Sequence, residues 1–136
     1  MELAGAAALS MMAPAAAIAA TGTIENWMWW LWGLMAAQNV LGALYVRLRV
    51  YDTHNRVMAR WPIGAAHAAG FLLIVGLGLG NVVPWLTAVP FAGFLARSLW
   101  VIAAPQPVAN IKRFGFVELG VEIVSGLWLV ASYWLF

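Results

Sequence analysis

The sequence predicts an all-α bundle of about five membrane-spanning helices, with its N-terminus in the cytoplasm and its C-terminus outside. Three observations carry this prediction. The 136 residues are 65% hydrophobic and only 9% charged, too little charge to clothe a soluble domain of that size. The apolar residues fall in runs of about 20, the length a helix needs to cross the hydrocarbon of a bilayer. Of the seven Lys and Arg residues, all but Arg97 lie in two of the breaks between runs, and such a bias orients membrane helices.

The first run, residues 3–20, is Ala-rich and contains Pro14. Its "AIA" triplet is leader-like, but no basic residue precedes it, so it is read as a membrane helix. Residues 27–46, 62–79, 82–103 and 114–136 supply the other four, and residues 1–136 read as a single domain. The breaks "TGTIEN", "RLRVYDTHNRVMAR", "GLGNVVP" and "PQPVANIKR" hold the Gly, Pro, Asn and charge that stop helices. Five spans put the second and fourth breaks on one side. Arg47, Arg49, Arg56 and Arg60 lie in the second, and Lys112 and Arg113 in the fourth. The first and third hold no Lys or Arg, so the basic side is expected to face the cytoplasm and to touch lipid headgroups. Nine tryptophans cluster near segment ends, as interfacial belts do.

Composition also excludes. The absence of cysteine removes disulfides, thiolate metal sites and thiol nucleophiles. The net charge of +2 belongs to the loops, and no nucleic-acid partner is expected. "GLGLGN" lacks the strand and spacing of a phosphate loop and reads as a turn. There is no Ser-His-Asp grouping, no HExxH and no acid pair in a loop, which argues against an enzyme.

Two sets of residues are candidate sites. In "AAHAAG", His67 stands among small residues, with Gly64 and Gly70 on either side. Such a setting allows close helix packing, or room for a haem or chlorophyll macrocycle ligated by the imidazole. In "FAGFLARSLWVIAAP", Arg97 interrupts an apolar run, and a guanidinium does not shed its charge. At about 1.5 Å per residue, Arg97 lies about 9 Å in from the basic end of its helix, and Glu118 and Glu122 lie about 6 and about 12 Å in. Gln38, Asn39 and His67 reach a similar depth. The expectation is a buried polar layer centred on an Arg97–Glu118/Glu122 ion pair, with the last two helices side by side. It either fixes helix register or floors a cavity for a lipid or quinone headgroup.

The stretch "NWMWWLWGLMAAQNVLGALYVRLRVYDTHNR", two apolar segments and then "KRFGFVELG" resemble the C-terminal half of the YwiC-like membrane proteins, from Pro14 onward. The helix order is also similar to the last five helices of the UbiA prenyltransferase superfamily. There the loop after the second of those helices carries an aspartate-rich motif for Mg²⁺ and prenyl diphosphate. Here only Asp52, the chain's sole aspartate, matches, so no metal site is expected. The resemblance implies a five-helix bundle with a polar cavity open to the cytoplasm that holds an isoprenoid, quinone or pigment tail.

The expected function is that of a non-catalytic integral subunit of a larger assembly in the cytoplasmic membrane, of electron-transfer or photosynthetic type. It would pack against other membrane subunits and lipids and carry a lipid, quinone, carotenoid, chlorophyll or haem. Two alternatives stand beside it: half of a UbiA-like isoprenoid-handling enzyme that needs a partner, and a small dimeric transporter-like protein.

Overall fold

The structure, a computed structural model, describes residue 5 and residues 8–135. Among the described residues it is helical, without strands. α1 spans Met12–Thr21, α2 Asn26–Thr53 and α3 Trp61–Leu79, and a 3-10 turn at Trp85–Thr87 leads into α4, Ala88–Ala103, before α5, Ile111–Trp134. Trp61–Leu79, Trp85–Ala103 and Ile111–Trp134 are each long and apolar enough to cross a membrane. α2 is longer, at 28 residues, but Gln38, Asn39 and its clustered tryptophans make it less apolar.

α3 and the end of α4 sit where the sequence placed them, while several other boundaries move for local reasons. The expected first helix starts at a position outside the described residues, and it breaks at Ser10 and Met11 before α1. Pro14 explains the break. Its ring nitrogen has no proton to give the Ser10 carbonyl four residues back, and the ring crowds that carbonyl. α2 was expected to stop at residue 46 but continues through "RLRVYDT", whose Arg and Leu are good helix formers. It ends before Asn55, which takes the left-handed turn at φ 51°. α4 begins later than residue 82 because Pro84 precedes it and Pro90 sits in its first turn, where a missing N–H is tolerated. α5 begins earlier than residue 114, at Ile111, because the Asn110 side chain accepts from Arg113 N at 3.0 Å and caps the helix. The expected end at residue 136 lies outside the described residues.

α2 is the central element and touches all four other helices. α3 and α4 pair most extensively, whereas α4 and α5, expected side by side, meet only sparingly. α5 lies chiefly against α2 instead. The main core joins Leu31, Leu34, Leu41, Ile74, Phe91, Phe94 and Leu129, and a second cluster joins Tyr45, Leu48, Ile63 and Val101. Two buried serines are satisfied within their own helices: Ser98 donates to Leu95 O at 2.9 Å and Ser132 to Leu129 O at 2.7 Å.

Both ends of the bundle are tied. At the end carrying Arg47, Arg49, Arg56, Arg60, Lys112 and Arg113, Asp52 pairs with Arg60. There Arg60 also donates to Val101 O at 2.9 Å, and Val108 N donates to Thr53 Oγ1 at 2.9 Å. The α2–α3 loop is thereby fastened to the end of α4 and the α4–α5 linker. At the opposite end, Trp128 Nε1 donates to Leu86 O at 2.9 Å. That carbonyl lies four residues before Pro90, which has no N–H to give it.

Candidate functional site: a buried polar layer and its arginine pocket

The layer is built from α2, α3, α4 and α5. Arg97 Nη1 donates to Glu118 Oε2 at 2.6 Å. The guanidinium lies over two rings, 4.3 Å from the Tyr45 centroid and 4.8 Å from that of Phe94, an arrangement suited to a weakly hydrated planar cation. Phe94 reaches it from one helical turn away on α4 and Tyr45 from α2. Sequence reading missed both aromatics. The i, i−3 spacing of Phe94 and Arg97 was the available signal.

Glu122 meets α2 rather than Arg97. Gln38 Nε2 donates to Glu122 Oε2 at 2.7 Å and to Glu122 O at 2.8 Å. This contact depends on Gly42, because a Cβ at that position would fall on Glu122 Oε1. The missing side chain lets the carboxylate lie against the backbone of α2. Asn39 does not join the layer as expected. One residue along a helix turns about 100°, so while Gln38 faces α5, Asn39 Nδ2 donates to Ser10 Oγ at 2.8 Å.

His67 is 1% exposed. Its Nδ1 lies 2.8 Å from Ile63 O one turn earlier, so Nδ1 carries the proton and Nε2 is left as an acceptor. Nε2 has no partner among the described residues. Of the two settings considered for it, the structure describes the close-packed one. A Cβ on Gly64 would press on Ile102 Cδ1 at 2.8 Å, and one on Gly70 would come within 3.1 Å of Leu41 Cδ1. These glycines serve close packing of α3 on α4 and α2.

The basic residues, expected as a headgroup-contacting loop set, divide. Arg47, Arg56, Lys112 and Arg113 are exposed, with Lys112 and Arg113 in the first turn of α5 rather than in a loop. Arg60 is committed to Asp52 and Val101. Arg49 turns inward, because the prolonged α2 places Tyr45, Arg49 and Asp52 along one face. It donates to Tyr45 Oη at 3.2 Å and lies 5.2 Å from the Phe114 centroid. Asp52 accepts from Gln106 N at 3.4 Å besides pairing with Arg60. Among the described residues no group of three or more His, Asp or Glu could hold a metal ion.

Two hollows adjoin this framework. A pocket of about 330 Å³ at the basic end is lined by Tyr45, Arg49, Ala96, Arg97, Trp100 and Val101. An apolar groove of about 690 Å³ at the other end is lined by alanines of α1 with Trp27, Leu31, Val130 and Tyr133. Comparison with family models, curated proteins and solved structures finds no match, and the geometry alone carries the functional reading.

Proposed function

We propose that the chain is a non-catalytic integral membrane subunit that packs against partner helices in a larger assembly, with its basic end in the cytoplasm and its C-terminus on the other side. The observation that carries this reading is the outer face of α4. Val89 and Trp100 are 48% and 69% exposed there, with Ala92, Gly93 and Ala96 exposed between them. A Cβ on Gly93 would meet nothing within 4 Å, so the fold of this chain does not use its smallness. Small residues framed by large apolar ones let the backbone of a second membrane helix approach closely. The apolar groove beside α1 supports the accessory role, since its volume and apolar lining suit the hydrocarbon tail of a lipid, quinone or carotenoid.

The test is Gly93→Ile in cells carrying the native assembly. The variant is expected to fold with unchanged thermal stability and to lose co-purification with its partner. Unchanged co-purification, or a chain that runs alone in mild detergent before any substitution, would contradict the reading. The UbiA-like alternative has less support, because Asp52 is engaged by Arg60 and by the α4–α5 linker.

A further inference from the structure

Two arginines that line the basic-end pocket carry hydrogen-bond donors unpartnered among the described residues. Arg49 Nε, Arg97 Nε and Arg97 Nη2 are buried without a partner among the described residues. Buried guanidinium N–H groups are costly to leave unsatisfied, and each calls for a partner such as ordered water or a bound ion. Both arginines line the same hollow. Glu118 answers one of them, while Arg49 has no carboxylate partner among the described residues, so the pocket holds an excess of positive charge. Its walls are otherwise apolar, and Trp100, 69% exposed, stands at its edge. Arg49 lies about 6 Å and Arg97 about 9 Å from the basic ends of their helices, by helical rise.

We propose that this pocket binds a phosphoryl oxyanion, carried by a lipid or free in solution. Guanidinium forks match phosphate oxygens in pairs. Arginines from α2 and α4 line one hollow and bring two positive charges to a bound anion, and the exposed indole beside them suits a headgroup at the membrane interface. The hollow lies within this chain and shares Ala96 and Trp100 with the outer face of α4, so it is tested on the purified chain, where no partner helix covers it.

The experiment measures thermal unfolding of the detergent-purified chain against four probes: short-chain phosphatidylglycerol, diacylglycerol, inorganic phosphate and oleate. A ligand that binds the folded state raises the midpoint in proportion to the logarithm of its concentration over Kd. Phosphatidylglycerol, inorganic phosphate or both are expected to raise it, with diacylglycerol and oleate weaker. Arg49→Gln should weaken the effect at least about tenfold in Kd, and Arg49→Lys should restore part of it. A response to phosphatidylglycerol alone assigns the phosphoryl group to a lipid, and a response to inorganic phosphate assigns it to a soluble ligand. If Arg49→Gln does not fold, Ala96→Phe fills the pocket from α4 and should abolish the response. No response to either phosphate-bearing probe overturns the proposal. So does an equal response to diacylglycerol or oleate, or an undiminished response in the folded variants.

Discussion

The buried charge at Arg97 illustrates how much one residue can demand of its surroundings. The guanidinium has a carboxylate at 2.6 Å and two aromatic rings against it, so removing it strands Glu118 in the bundle. Arg97→Leu is expected to destabilise by about 3–5 kcal/mol, and the double change with Glu118→Leu to recover much of that loss. Denaturation of the single and double variants in mild detergent measures the coupling, and simple additivity would show that the pair does not act as a unit. Gly42 makes a second demand. Gly42→Ala is expected to push the Glu122 carboxylate away from α2 and break its bond to Gln38, at a cost of about 1–3 kcal/mol. Counting depth along the helices was enough to suggest that Arg97 and Glu118 share a level, because rise per residue is fixed. It could not say which carboxylate faces Arg97, nor that Asn39 faces Ser10, because those depend on helix rotation. The flanking rings of Tyr45 and Phe94 and the inward turn of Arg49 likewise follow from tertiary packing.

At the scale of elements, the apolar runs revealed where helices lie among the described residues and what breaks them, while charge misled about their ends. "RLRVYDT" and "KR" were taken as loops because they are basic, yet each belongs to a helix. The prolonged α2 carries Arg49 and Asp52 on its inner face, and Asn110 starts α5 before Lys112. Asn110→Ala is accordingly expected to cost about 1 kcal/mol, read as a lower unfolding midpoint. Proline marks the other boundaries. Pro90 leaves the Leu86 carbonyl free for Trp128 Nε1, which fastens α5 to the start of α4. Trp128→Phe keeps most of the ring and removes that donor. It is expected to cost about 1 kcal/mol and to leave the basic end unaffected, as hydrogen exchange at Val108 N would report.

For the whole molecule, composition was decisive for class, because a chain this apolar has no soluble alternative. Which helices touch was less legible. A short linker between α4 and α5 argues for adjacency, yet the bulk and small residues that seat α3 on α4, and α5 on α2, decide the packing. The gathering of Arg47, Arg49, Arg56, Arg60, Lys112 and Arg113 at one end predicts orientation. Val57, 101% exposed, and Val82, 40% exposed, mark opposite ends. In intact cells, Val82→Cys is expected to react with an impermeant thiol reagent and Val57→Cys to be shielded, and the reverse labelling would invert the topology. The central claim is that this chain serves as a non-catalytic partner within a larger membrane assembly. It is tested most directly by extracting the chain from its native membrane in mild detergent and determining the intact mass of what emerges. The account predicts the chain bound to other integral membrane subunits at a fixed stoichiometry. A lone 14.7 kDa chain that turns over a substrate by itself would contradict it.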